Sequence, residues 1–118
     1  MRNAGLKNRF NQEDVNSFWC GWYTDLISGK NNADCLHHIK SPSSSDYKDG
    51  EFNKSVLNTC PLNNFETHIG NGKIHLRETE TMLMAKVLKI AYDKVGRGEY
   101  QFTKNDCEFI KEYKNNYI

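Results

Sequence analysis

The sequence lacks an excess of either charge and a membrane-length apolar run, and each absence excludes a class of protein. A formal net charge of +1 over 118 residues provides no overall attraction to nucleic acid, so such binding would need a local basic patch. No apolar run is long enough to span a bilayer, and the amino-terminal segment lacks the apolar core of a signal peptide. These features predict a cytoplasmic protein with no membrane partner.

Closely paired cysteines are also absent. The four cysteines lie far apart, and no two form a Cys-x-x-Cys pair: Cys20, Cys35, Cys60 and Cys107. This spacing excludes a zinc knuckle of the usual kind, and a reducing compartment argues against disulfides. Two interpretations stay open, since the thiols are either small buried side chains or ligands of an irregular zinc site assembled in space.

An aromatic segment near the amino terminus has the spacing of an amphipathic helix. Its apolar residues recur on one helical face: Val15, Phe18, Trp19, Trp22, Tyr23, Leu26 and Ile27. Asn11 can cap this helix and Gly29 can end it. The stripe is expected to pack in the core rather than to stack on nucleic-acid bases. Residues 1–10, which are basic and show no periodicity, are expected to form a loose arm.

The middle of the chain predicts two short strands followed by a short helix. Residues 35–40 form the first expected strand, and residues 55–59 the second. The segment between them is rich in turn-forming residues and predicts a polar loop. Pro61 suits the first turn of a helix, which is expected to run through His68 to the Gly-Asn-Gly breaker.

Two helices are expected after this segment. The first covers about residues 78–95 and is ended by Gly96 and Gly98. Thr103 and Asp106 resemble a capping box for the second, with Asp in place of Glu. Together they form a helical tail over 78–115. The chain is therefore expected to be a single α+β domain spanning 1–118.

Two adjacent histidines and an Asn-x-x-x-His pair give the sequence a candidate metal site. His37 and His38 lie on the first expected strand, where neighbouring side chains point to opposite faces. Asn64 and His68 are four residues apart and share one face of the expected helix. One histidine of the strand can complete a site of two imidazoles and an amide oxygen. Such a site leaves positions open for water and substrate, which is typical of a catalytic metal.

The pattern "LHHI…PLNNFETH" over residues 35–68 resembles the motif of the HNH endonucleases, whose core is the ββα-metal finger. The resemblance implies that His37 binds the metal and that His38 is the general base. It also implies that Asn64 and His68 complete the metal shell, with Asn64 counted among the catalytic residues. The implied fold is a finger over 34–69 embedded in helices, with the aromatic helix before it and two helices after it.

The implied activity is hydrolysis of DNA phosphodiester bonds by a metal-dependent endonuclease, with a histidine activating water. The implied cofactor is a divalent ion: Mg²⁺, Mn²⁺, Ni²⁺ or Zn²⁺. The basic residues that flank the site are either solvated charges or phosphate contacts: Lys40, Lys54, Lys73 and Arg77. The abundance of Asn and Lys is typical of an AT-rich genome such as that of a phage. A phage protein would act in the cytoplasm of the host cell.

Two features depart from the family pattern. Many members carry an asparagine near the start of the second strand, which orients the base through its backbone. Here Ser55 lies in the closest register, with Asn53 and Asn58 on either side. The paired Cys-x-x-Cys clamps of many phage members are missing as well.

Two alternatives to a nuclease follow from the same residues. One is a non-catalytic module that uses the finger to bind metal or DNA. The other is an interaction protein whose aromatic helix docks a partner such as a phage packaging component. The helical tail could also form a homodimer.

Overall fold

A small sheet lies among the helices in the computed structural model. The structure describes four stretches of the chain: residues 2–3, 12–39, 55–69 and 77–116. The sheet has three strands, in the order β1 (Arg2–Asn3), β2 (Cys35–His38) and β3 (Thr59–Leu62). β2 is central, with β1 parallel to it and β3 antiparallel. The predicted α+β class is confirmed at this level. The first two described residues pair with β2, which differs from the loose arm expected there.

The aromatic helix is shorter than the sequence pattern predicted. The helix α1 (Gln12–Phe18) ends nine residues before Ile27, and the chain then turns at Gly21, whose φ is 71°. A positive φ is costly for residues with a side chain, so glycine favours the turn at this point. Trp19 remains in the core, whereas Tyr23 is 66% exposed. The apolar periodicity beyond Phe18 therefore reflects packing of an irregular segment rather than a continuing helix.

The second strand lies four residues later than predicted. Residues 55–59 were expected to be extended, but a 3-10 turn (Val56–Asn58) occupies that segment. Ser55 is its N-cap, since the Ser55 hydroxyl accepts a hydrogen bond from the Leu57 amide at 3.0 Å. A serine that bonds its own local backbone favours a turn over a strand.

The start of the short helix was also predicted too early. Pro61 lies within β3, where it pairs with Leu36, and the helical segment begins at Asn64. β3 is at the edge of the sheet, which is where a strand tolerates a residue without an N–H donor. The segment Asn64–Ile69 is a single π-helical turn rather than an α-helix.

The two long helices agree with the sequence. The helix α2 (Arg77–Gly96) covers the predicted 78–95, and α3 (Lys104–Asn116) follows it. The predicted capping box is confirmed, because Thr103 N donates to Asp106 Oδ2 at 3.0 Å and Asp106 N donates to Thr103 Oγ1 at 3.2 Å. Within the four described stretches, no helix combines the length and apolarity needed to cross a bilayer.

A buried carboxylate joins α3 to the segment that precedes β3. Asp106 is fully buried and accepts a hydrogen bond from the Ser55 hydroxyl at 2.5 Å. The Tyr100 hydroxyl donates to Oδ2, the other carboxylate oxygen of Asp106. Burial, followed by this hydrogen bond, raises the pKa of Tyr100 well above its usual value. The phenol therefore stays protonated and acts as a donor.

The core fills the space between the sheet and the long helices. All four residues of β2 and all four of β3 are buried, so the sheet is covered on both faces. The largest fully buried apolar side chains come from every major element: Phe18, Leu36, Leu57, Leu62, Leu83 and Phe109. This packing fixes β2 and β3, the two strands on which the histidines and their neighbours lie.

The end of α2 permits a matched test of backbone conformation. Glu99 N donates to Lys94 O at 2.8 Å and Gly98 N donates to Val95 O at 3.1 Å, which together form a Schellman motif with Gly98 at φ 75°. We expect Gly98→Ala to lower the free energy of unfolding by about 1 kcal/mol, because alanine is strained at positive φ.

Gly96→Ala is the control for this prediction. Gly96 is helical, and an added Cβ would meet no atom within 4 Å, so this change is expected to stabilise the protein by roughly 0.4–1 kcal/mol. Urea unfolding of both variants measures the two effects. Equal effects of the same sign would contradict the assigned helix end.

Candidate functional site

The two adjacent histidines lie on the central strand and are both buried. His37 is 1% exposed and His38 is 5% exposed, and the Nε2 atoms of both rings are buried. In the register of the antiparallel pair, His37 lies opposite Cys60 and His38 lies opposite Thr59. Because neighbouring residues of a strand alternate in direction, the two imidazoles face opposite sides of the sheet.

The side of the sheet that holds His37 also holds two thiols and the amide of Asn64. Cys35 is two residues before His37 on the same strand, and Cys60 is its cross-strand neighbour. The Cys35 thiol donates to Leu62 O at 3.4 Å and lies 3.9 Å from Asn64 Oδ1. The predicted ligands His37 and Asn64 are therefore on the same side of the sheet.

Neither buried thiol on this side is ionised at neutral pH. Burial, followed by the charges of Asp34 and Asp25, raises the pKa of Cys35 to about 11. Burial is also the main reason why the pKa of Cys60 lies well above its usual value. A metal that bound either thiol would have to displace its proton.

The side that holds His38 faces Trp19, the residue after α1. Its cross-strand neighbour Thr59 accepts a hydrogen bond from the indole Nε1 of Trp19 at 2.8 Å. The Thr59 hydroxyl in turn donates to Val56 O at 2.5 Å. These two bonds fix the start of β3 beside His38.

Asn58, one of the two asparagines that flank Ser55 in the sequence, lies directly before the second strand. The 3-10 turn moves the start of the second strand from residue 55 to Thr59, so Asn58 directly precedes β3, and it is fully buried. Its backbone carbonyl accepts a hydrogen bond from the amide of Ile39, the residue after His38, at 2.9 Å. Ser55, the residue in the closest sequence register, instead caps the turn and donates to Asp106.

The start of the π-helix is held by the side chains of Asn63 and Asp34. Asn63 Oδ1 accepts a hydrogen bond from the Glu66 amide at 2.9 Å, and Asn63 Nδ2 donates to Asn32 O at 2.8 Å. Asn63 is thus occupied as the N-cap. The Asp34 carboxylate oxygen Oδ1 accepts a hydrogen bond from the backbone N–H of Asn64 at 2.8 Å.

Asp25 ties the loop after α1 to the same helix start. Its carboxylate is fully buried and accepts hydrogen bonds at 2.8 Å from the amides of Ile27, Ser28 and Asn63. Burial alone would raise the pKa of Asp25, but these bonds and one from the Thr67 side chain outweigh it and hold the pKa below its usual value of 3.8. Neither Asp25 nor Asp34 was identified from the sequence, because an isolated Asp carries no spacing signal.

The remaining predicted site residues are placed only in part. Arg77 begins α2 and is exposed. The backbone of His68 lies in the π-helix, but its side chain is outside what the structure describes, as are Lys40, Lys54 and Lys73. Within the described stretches, no three His, Cys, Asp or Glu side chains form a group that could hold a metal. The predicted shell includes an amide and the His68 side chain, so it stays a prediction.

Comparison with known proteins gives no match to a family model, a curated protein or a solved structure.

Proposed function

We propose that this protein is a metal-dependent endonuclease that hydrolyses phosphodiester bonds in DNA, with His38 as the general base. The observation that supports the proposal is the order of residues on β2, β3 and the helix. Two histidines lie on β2, Asn58 directly precedes the antiparallel β3, and the π-helix with Asn64 as its first residue follows β3 after one residue. This is the element order of the ββα-metal finger that the motif implies.

A π-helical turn is compatible with the proposed ligand assignment. In a helix with i→i+5 hydrogen bonds, residues four and five apart lie close to one side. Asn64 and His68 are four apart in this turn. Together with His37 on the adjoining strand they offer two imidazole nitrogens and an amide oxygen, which suits Mn²⁺, Ni²⁺ or Zn²⁺ and less closely Mg²⁺. A bound divalent ion would stabilise negative charge on the phosphate and the leaving oxygen.

His38 would take a proton from the attacking water. Imidazole is suited to this role because its ordinary pKa lies near neutral pH. The hydrogen bond from Ile39 N to Asn58 O fixes the end of the strand directly after His38. Asn58 is therefore the positioning residue that the family pattern places near the second strand. Arg77, with Lys40, Lys54 and Lys73, would contact phosphates around the site.

A second candidate function is favoured by the burial of both imidazoles. On this alternative, the same elements form a non-catalytic module in which the histidines hold the structure or a metal, and DNA or a partner protein binds elsewhere. Buried histidines are more often structural than catalytic, since a base must reach its water and substrate.

Incubation of the purified protein with supercoiled plasmid distinguishes the two functions. We expect nicked or linear DNA with Mn²⁺ or Ni²⁺, at a rate at least equal to that with Mg²⁺, and no product with EDTA. The Arg77→Glu variant is expected to cleave more slowly than Lys111→Glu, a matched charge reversal on α3. DNA that stays intact with every one of these ions and Zn²⁺ would favour the non-catalytic module.

A further inference from the structure

A small pocket lies beside the end of α1, and none of the described residues that line it is a proposed catalytic or metal-binding residue. It has a volume of about 200 Å³, smaller than the pockets that hold drug-sized molecules. Both tryptophans of the chain line it, together with Tyr23 and Asp34. The rings of Trp19 and Trp22 meet edge to face, with their centroids 5.5 Å apart and an interplanar angle of 67°.

The two tryptophans at the pocket have no indole N–H group available to a ligand. The Nε1 atom of Trp19 donates to Thr59 Oγ1, and that of Trp22 donates to Thr24 O, each at 2.8 Å. Both indole N–H groups are therefore engaged inside the protein. Trp22 is partly exposed and can offer its ring to a ligand in the pocket, whereas Trp19 is only 4% exposed. The quadrupole of an aromatic ring attracts positive charge.

The charged groups of the lining also favour a positive ligand over a negative one. Among the described residues that line the pocket, Asp34 is the only one with a carboxyl side chain, and none is Lys, Arg or His. A phosphate would therefore meet a carboxyl group and no cation among these described residues. A positive group would have an aromatic corner and a carboxylate within one small volume.

We propose that this pocket binds a small organic cation of the alkylammonium class. The pocket adjoins the proposed nuclease site, because Asp34 also accepts the hydrogen bond of the Asn64 backbone amide, but its occupation does not depend on catalysis. Cation–π attraction to Trp22 would supply much of the affinity, and the Asp34 carboxylate would add a charge contact.

Tryptophan fluorescence tests the pocket directly, because the only two tryptophans of the chain both line it. Choline serves as the probe, and its neutral carbon isostere 3,3-dimethyl-1-butanol as the comparison, at constant ionic strength. We expect a saturable change with choline, and binding about three- to thirtyfold tighter than that of the isostere. Inorganic phosphate is expected to leave the signal unchanged.

Two variants separate the charge contact from the aromatic wall. Asp34→Asn keeps an oxygen that can accept from the Asn64 amide but removes the charge, and is expected to weaken choline binding about two- to fivefold. Asp93→Asn is the matched control, since Asp93 is an exposed carboxylate on α2 paired with Lys89, and it should bind choline as the unaltered protein does. Trp22→Leu, which keeps apolar bulk, is expected to remove the preference for choline over the isostere.

Equal affinity for choline and the isostere would overturn the proposal and indicate an unselective apolar pocket. Absence of a saturable change, with the fold intact by circular dichroism, would also overturn it. Because neither readout involves DNA cleavage, these outcomes are independent of the plasmid assay.

Discussion

The His38→Gln variant is expected to lose DNA cleavage by roughly 10²–10⁴-fold, the range typical when a general base is removed. Glutamine is chosen because His38 is only 5% exposed, and alanine would leave a cavity that destabilises the core. Metal affinity, measured by calorimetry with Mn²⁺ or Ni²⁺, should stay unchanged. Initial rates of plasmid nicking at saturating metal give the size of the loss.

His37→Gln is the matched control, because it alters the neighbouring imidazole on the other face of the same strand. This variant is expected to bind the metal more weakly and to recover part of its activity at high metal concentration. If His38→Gln lost the metal and His37→Gln kept it, the roles of the two histidines would be reversed. Two fully active variants would exclude the proposed nuclease mechanism.

The Asp25→Ala variant is expected to lose about 3–5 kcal/mol of unfolding free energy. Its carboxylate accepts three backbone hydrogen bonds at 2.8 Å. Bonds to a charged group contribute about 1.5–3 kcal/mol each, and they add incompletely because they share one carboxylate. Asp93→Ala, on the exposed face of α2, should change the stability by less than about 0.5 kcal/mol. Urea denaturation measures both, and a similar small loss in the two variants would contradict the assigned role of Asp25.

The pH dependence of stability gives a second measurement of the same group. The pKa of Asp25 in the folded protein lies below its usual value of 3.8, so the folded state favours the ionised form. Its contribution is complete above the unfolded pKa and is lost as the pH falls through the folded one. The unaltered protein should therefore lose stability below about pH 4 more steeply than Asp25→Asn does. Parallel curves for the two proteins would show that Asp25 does not titrate in this way.

The sequence predicted those helix ends that are set by residues close to them in the chain. The Thr103–Asp106 capping box predicted where α3 begins. The glycines at 96 and 98 predicted where α2 ends, because capping and terminating residues act over only a few positions. The end of α1 could not be predicted in this way. The apolar spacing continues to Ile27, and only the tertiary packing of the segment after Phe18 shows that the chain turns there.

The candidate site was predictable in its residue types and only partly in its register. The pair of histidines lies on a strand as predicted, but the second strand was placed at Ser55, where a serine side chain favours a turn. The shift in the strand start moves the position directly before the strand from Lys54 to Asn58. Asp25 and Asp34 act through backbone amides more than 25 residues away in sequence, and such long-range hydrogen bonds leave no pattern in the local sequence.

The hydrogen bond between Ser55 and Asp106 has a consequence for the modularity of the fold. Residues 34–69 contain all the proposed catalytic groups, which suggests expressing this segment alone or grafting it into another protein. Isolating the segment would remove the acceptor from the Ser55 hydroxyl, which caps the turn leading to Asn58, and would separate Asn63 from the Asp25 carboxylate. The smallest transplantable unit therefore includes the loop after α1 and the first turn of α3, and grafts of the segment alone should not fold.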